Sequence, residues 1–122
     1  MPAESGPILI IGAGAVGCSV ATVLMDSGHE PVLAVRTPLN GLRRDFAGVC
    51  TEYPVKQITK PEPGYQPRWV LLCTKAYDTD AAMEWLPDQL DPQATVAVLQ
   101  NGVDHVERLS QWLPSEQVMP VT

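Results

Sequence analysis

The sequence lacks the features that would place the chain in a membrane or on a nucleic acid. No apolar run approaches the ~20 residues that a membrane-spanning helix needs, and residues 1–6 have neither the basic nor the apolar region of a signal peptide. The formal net charge is −6, which argues against nucleic acid and against an anionic membrane surface as partners. These absences predict a cytoplasmic protein with no membrane or nucleic-acid partner.

Cysteine is scarce, and the spacing of the three cysteines does not indicate a metal site or a redox motif. The three cysteines, Cys18, Cys50 and Cys73, are odd in number, and none of them forms a C-x-x-C pair. We interpret them as small buried hydrophobic side chains in a reducing cytoplasm. No metal site is predicted.

The chain also lacks internal repeats, low-complexity tracts and a recognisable interdomain linker. Its 122 residues, with a hydrophobic content of 45% and a charged content of 18%, are typical of one soluble globular domain. Residues 1–122 are therefore treated as a single domain.

The most informative stretch that is present is a glycine-rich turn behind an apolar run. Residues 8–11 (ILII) are typical of a central parallel strand, and the turn after them spells G-x-G-x-x-G. Such a turn lets a helix begin tightly behind a strand, with its free N–H groups facing a pyrophosphate. The motif predicts a dinucleotide site formed by Gly12, Ala13, Gly14, Ala15, Val16 and Gly17.

Strands and helices alternate along the rest of the chain. Further strands are predicted at residues 31–35, 49–52, 55–58, 69–73, 95–99 and 117–121. A helix from residue 16 ends at Gly28, others begin near residues 78 and 104, and residues 37–46 are predicted as a loop or short helix. The alternation predicts an α/β fold, a Rossmann-type doubly wound parallel sheet in three α/β/α layers, with the ligand at the carboxyl edge of the sheet.

The residue after the second strand indicates which dinucleotide binds. NAD sites usually place an acid there for the ribose hydroxyls, whereas NADP sites need a cation for the 2′-phosphate. This chain has Arg36 followed by Thr37, and Arg36 can hold a phosphate through charge-assisted hydrogen bonds. Arg43 and Arg44 could add positive charge, but are more simply interpreted as surface residues. The prediction is NADP, taken up as NADPH.

Two later segments make the chain resemble a known family. Residues 73–79 (CTKAYDT) follow one apolar strand, and residues 99–103 (LQNGV) follow the next. With the glycine loop and Arg36, they resemble the N-terminal domain of the ketopantoate reductase family. That domain has the loop, an arginine after its second strand, a K-A segment and a Q-N-G or H-N-G segment in the same order. The resemblance covers nearly the whole chain.

The resemblance implies roles for residues in both segments. Lys75 and Asn101 would line the nicotinamide and substrate end of the cleft in supporting catalytic roles, and Thr74 would add backbone contacts to the cofactor. Gln100 and Gly102 would shape the turn. Independently of the family, a lysine at the carboxyl end of a strand can bind a carboxylate or polarise a carbonyl.

The resemblance also implies an activity and a missing part. The family's enzymes transfer a hydride from NADPH to a small 2-oxo acid, ketopantoate, giving a 2-hydroxy acid on the route to pantothenate. Their main catalytic residues lie in a helical second domain, to which no position of this chain corresponds. Residues 1–122 are therefore expected to be an N-terminal NADP-binding domain that is inactive alone, with an uncovered apolar face able to pair with a second copy.

Two other classes remain as alternatives. A stand-alone nucleotide-sensing Rossmann module, such as those attached to ion transporters, begins with the same glycine loop. An FAD-binding domain does so too. Both usually place an acid after the second strand, so Arg36 argues against them. His29 and His105 are interpreted as surface residues, and the tryptophans, Trp85 among them, as packing residues.

Overall fold

A six-stranded parallel sheet organises the chain in a computed structural model, which describes residues 7–12, 14–61, 65–74, 79–86, 90–100 and 105–121. The strands are β1 (Ile8–Ile11), β2 (Val32–Ala34), β3 (Leu42–Phe46), β4 (Val49–Tyr53), β5 (Lys56–Ile58), β6 (Trp69–Leu72), β7 (Thr95–Val98) and β8 (Val118–Pro120). The helices in these ranges are α1 (Ala15–Asp26), α2 (Thr79–Met83) and α3 (His105–Leu109). None of them is long and apolar enough to cross a membrane.

The two faces of the sheet are both covered, because successive side chains of a strand point to opposite faces. Ile8 and Ile10 belong to a hydrophobic cluster that includes Ala21 of α1. Leu9 and Ile11 belong to a second cluster, which includes residues of α2 and α3. A strand buried on both faces must be apolar throughout, as β1 is. The predicted three-layer α/β/α arrangement is confirmed.

The strand order places a switch point beside the glycine turn. The order is β5-β2-β1-β6-β7-β8, with every neighbouring pair parallel. From β1 the chain runs outward to β2 and β5, then crosses to the other side of β1 to form β6. In doubly wound sheets, ligands bind outside the carboxyl ends of the strands at such a reversal. The ends that meet there are Ile11, Ala34 and Leu72, which lie in register.

The prediction of a loop or short helix over residues 37–46 is wrong in its second half. Leu42–Phe46 is a strand, paired antiparallel with β4 in a separate two-stranded sheet. The connecting residues, Ala47 and Gly48, both have positive φ (52° and 80°), as the central residues of a type I′ hairpin turn do. An Asn-Gly pair would have indicated this turn in the sequence, whereas Ala-Gly is not a typical signal for it.

Side chains from both strands tie the hairpin to the main body. Leu42 is buried, and the Tyr53 hydroxyl donates a hydrogen bond to Asp26 Oδ1 over 2.9 Å, at the end of α1. The predicted strand near residues 49–52 is confirmed as β4, and the minor strand at 55–58 as β5. Strand β5 pairs with β2 and forms one edge of the main sheet.

Candidate nucleotide-binding site

The glycine turn is compressed between the end of β6 and the start of α1. Gly12 has a φ of +108°, and a Cβ there would lie 2.9 Å from the Thr74 backbone nitrogen. A Cβ on Gly17 would overlap the carbonyl oxygen of Gly12. Both positions require glycine because the backbone leaves no room for a side chain.

Gly14 differs from its two neighbours in the motif. A Cβ built on it would meet no heavy atom within 4 Å, and its backbone is extended (φ −74°, ψ −170°), so any residue could adopt it. Gly14 is the N-cap of α1, a helix of 12 residues with no side-chain cap and no acid in its first turn. Open space therefore faces a helix terminus whose free N–H groups and dipole attract an anion. This cradle fits a phosphate group.

A cavity of about 260 Å³ opens beside this turn, at the carboxyl ends of β1, β2 and β6. Arg36 and Thr37, both exposed, form its wall after β2, and Thr74 contributes the wall after β6. The remaining lining residues are Ile11, Gly12, Ala34, Val35, Ala81, Ala82 and Trp85. The cleft is thus lined by one arginine, two threonines and several apolar residues, and it lies next to the glycine turn that precedes α1.

Gln100 supports one wall of the cavity. Its side chain is buried, and its Nε2 donates a hydrogen bond to Thr74 Oγ1 over 3.1 Å. The two residues follow neighbouring strands, β7 and β6. The predicted role of Gln100 in shaping a turn did not include this contact.

The thiols near the site are neutral at physiological pH. Burial, reinforced by the neighbouring Cys18, raises the pKa of the Cys73 thiol to about 11, and burial also raises the pKa of Cys18. A thiol must be deprotonated to act as a nucleophile or a metal ligand. Within the described ranges, no group of three or more His, Cys, Asp or Glu residues could hold a metal ion.

The structure brings many of the sequence-predicted site residues to one edge. Gly12, Arg36, Thr37 and Thr74 line the cavity. Gly14, Ala15, Val16 and Gly17 form the turn and the first residues of α1. Ala13, Lys75, Asn101 and Gly102 lie outside the described residues.

Arg43 lies on the hairpin, outside the described lining of the cavity. The neighbouring side chains of Cys50 and, to a smaller extent, Asp45 raise the pKa of Arg43. These contacts lie on one face of the hairpin, where Arg43 stands opposite Glu52 and Asp45 opposite Cys50. Its interpretation as a surface residue fits this exposed position. Cys50 is exposed as well, so the prediction that the cysteines are buried is wrong for Cys50, which lies on the open hairpin.

Sequence reasoning missed the contribution of the segment after β6. Ala81, Ala82 and Trp85 line the cavity, although Trp85 also packs against the core, as predicted. The signal would have been two small residues in the helix that follows a central strand, with an aromatic residue just after that helix.

A second, larger cavity lies at the amino ends of the strands, on the side of the sheet opposite the carboxyl edge. It has a volume of about 640 Å³ and is lined by His29, Glu30 and Lys56 together with residues before β2 and after the hairpin. Glu30 precedes β2 and lies at its amino end, away from the carboxyl edge where a ribose would bind.

Comparison with known families decides which kind of Rossmann domain this is. The family model described as ketopantoate reductase PanE/ApbA matches residues 8–122. The chain belongs to this family. It is 43% identical over 117 residues to a 2-dehydropantoate 2-reductase of Mycobacterium tuberculosis, covering 93% of this chain and 39% of the relative. It is 37% identical over 114 residues to the enzyme of the same name from Caulobacter vibrioides, with the same coverage.

Solved structures agree with this assignment. A PanE/ApbA family ketopantoate reductase from Ralstonia eutropha is 30% identical and superposes with a TM-score of 0.76, over 94% of this chain and 40% of that one. A 2-dehydropantoate 2-reductase from Geobacter metallireducens has a TM-score of 0.82 at 24% identity, over 94% and 40% of the two chains. At that identity the second likeness shows the fold alone. The predicted family and fold are both confirmed, and the chain spans about 39% of the length of the two curated relatives.

Proposed function

We propose that this chain binds NADPH at the carboxyl edge of its sheet, as the cofactor domain of a 2-oxo acid reductase. The observation that carries the proposal is Arg36, an exposed cation that follows β2 by two residues and lines the cavity. An acid at this place would repel a 2′-phosphate, whereas a guanidinium binds one through paired hydrogen bonds. The family membership reported above supports the same assignment.

The residues around the cleft have complementary tasks in this proposal. The N-terminus of α1 holds the pyrophosphate in the open space at Gly14, and Arg36 with Thr37 holds the 2′-phosphate. The apolar wall of Ala81, Ala82 and Trp85 packs against the adenosine portion. Ligand clefts typically have volumes of about 300–1,000 Å³, so a cavity of about 260 Å³ suits one half of a dinucleotide. The nicotinamide half would then extend toward the ends of β6 and β7.

The proposed reaction is reduction of a small 2-oxo acid, with ketopantoate as the default substrate by family resemblance. Bound NADPH supplies the hydride. Lys75 and Asn101, which follow β6 and β7 in sequence, would bind the substrate's carboxylate or polarise its ketone. Hydride transfer also needs a proton donor and groups that orient the 2-oxo acid. We propose that these belong to a further domain, so that this chain alone binds cofactor without turnover.

Two measurements test this proposal. Calorimetric titration should show that the chain binds NADPH more tightly than NADH, and NADPH should raise its melting temperature by mass action. With ketopantoate added, NADPH oxidation followed by absorbance should stay at background, while the Mycobacterium tuberculosis relative serves as the active control. Failure to bind either nicotinamide cofactor would refute the binding proposal. Turnover near the rate of the control would refute the need for a second domain.

A further inference from the structure

Gln100 and Thr74 connect two strand ends just beyond the carboxyl edge of the sheet. A backbone hydrogen bond between these strand ends runs from the Leu99 nitrogen to the Leu72 oxygen over 2.9 Å. One or two residues later, Gln100 Nε2 donates to Thr74 Oγ1 over 3.1 Å. Gln100 is only 6% exposed, and burying an amide is costly unless it forms hydrogen bonds. The bond with Thr74 therefore satisfies part of the hydrogen-bonding capacity of this buried amide.

The backbone of Thr74 lies close to the glycine turn. A Cβ built on Gly12 would lie 2.9 Å from the Thr74 backbone nitrogen, and Thr74 is one of the residues that line the cavity. A threonine hydroxyl can accept and donate at the same time, whereas the amide nitrogen of glutamine only donates. When Gln100 donates to Oγ1, the hydroxyl keeps its own proton for another acceptor. In the part of the chain that the structure describes, this bond is the one side-chain hydrogen bond of Thr74.

We propose that Gln100 is a positioning residue for cofactor binding, which holds the Thr74 hydroxyl as a hydrogen-bond donor to a phosphate or ribose oxygen of the bound dinucleotide. This inference rests on the proposed function, because the ligand is NADPH. A hydroxyl that is already held in place loses little conformational freedom when the ligand arrives. Gln100 thus acts on the ligand only through Thr74.

The test is a double-mutant cycle in the 122-residue chain, read by calorimetric titration with NADPH. Thr74→Val removes the hydroxyl at nearly constant shape and should weaken binding about tenfold, the loss expected for one hydrogen bond. Thr74→Ser restores the hydroxyl and should return the affinity to within about twofold. Gln100→Met removes the amide and should weaken binding by less than Thr74→Val. If Gln100 acts through Thr74, adding Gln100→Met to Thr74→Val should cause no further loss.

Gln117 provides a matched control. It is also a buried glutamine (8% exposed), and its Nε2 donates to the carbonyl oxygens of Asp91 and Ala94 over 2.9 and 3.1 Å, near the amino end of β7. Gln117→Met should lower the melting temperature but leave the NADPH dissociation constant unchanged.

The possible outcomes separate this inference from the proposed function. If the unmodified chain binds no NADPH, both fall together. If it binds NADPH but Thr74→Val leaves the dissociation constant unchanged, or if the two losses multiply in the double mutant, the positioning role alone is refuted. Should Gln100→Met fail to fold, the comparison of Thr74→Val with Thr74→Ser decides, and equal affinities for those two variants would overturn the proposal.

Discussion

The two edges of the parallel sheet differ in what they offer a ligand. The amino edge has the larger cavity, about 640 Å³, with Glu30 and Lys56 of opposite charge in its lining. The carboxyl edge has a cavity of about 260 Å³, beside an uncapped helix N-terminus and an arginine at the end of β2. Volume alone would favour the first cavity.

Chain topology favours the second. In a parallel sheet, the helices that follow the strands begin at the carboxyl edge, so their positive ends gather there. The strand order reverses beside β1, which opens the crevice between β2 and β6. On physical grounds, backbone dipoles and fixed cations favour an anionic ligand at the carboxyl edge more than a larger cavity favours one at the amino edge.

The largest effect is expected at Gly14. Gly14→Val should abolish NADPH binding, because the side chain would fill the space that the pyrophosphate needs. The fold should keep its cooperative thermal transition, since a Cβ there meets no atom within 4 Å and the backbone is extended. Calorimetry and thermal melting of the same sample measure both effects. Unchanged affinity would mean that the loop holds no phosphate.

Arg36→Ala should have the next largest effect, and only on one cofactor. Hydrogen bonds to charged groups contribute about 1.5–3 kcal/mol, so NADPH binding should weaken about 10- to 150-fold, while NADH affinity barely changes. Lys56→Ala at the amino edge is the matched control, because it also removes one exposed cation beside a cavity. Equal losses for the two cofactors, or for the two variants, would remove Arg36 from a specific phosphate site.

The features that could be predicted from the sequence are those that depend on local patterns. Residues 8–11 and the glycine turn predict β1, α1 and the phosphate cradle because burial on both faces and close backbone approach each demand particular residue types. Arg36 could be placed because it directly follows the strand predicted at residues 31–35, which ends at Ala34 in the structure.

The features that were missed depend on contacts between distant residues or on unmarked turns. Gln100 and Thr74 are 26 positions apart in the sequence, and no local pattern near either residue predicts their hydrogen bond. Strand β4 was predicted, but β3 and its pairing with β4 were missed because the turn between them is Ala47-Gly48 rather than Asn-Gly.

The smallest effect concerns Cys73, at the carboxyl end of β6. Because burial raises its pKa to about 11, the unfolded chain loses this thiol proton first as pH rises. The contribution of the buried, protonated Cys73 thiol to the free energy of unfolding is complete below the ordinary thiol pKa. It is lost as pH rises toward and through the raised pKa of the folded state. Denaturant unfolding should show a steeper loss of stability at alkaline pH for the unmodified chain than for Cys73→Ala. Cys50→Ala, at an exposed position, should retain the steep loss, and identical slopes for all three proteins would contradict the burial of Cys73.

The most direct test of the central claim is to map NADPH onto both edges at once. Amide chemical shifts of the isotope-labelled chain, followed during NADPH titration, should change at Gly14, Gly17, Arg36, Thr37 and Thr74. The amide shifts of His29, Glu30 and Lys56 at the amino edge should not change. NADH should change the amide shifts of the glycine turn but should change that of Arg36 much less, because NADH lacks the 2′-phosphate. Shifts concentrated around Glu30 and Lys56, with the glycine turn unmoved, would contradict the account.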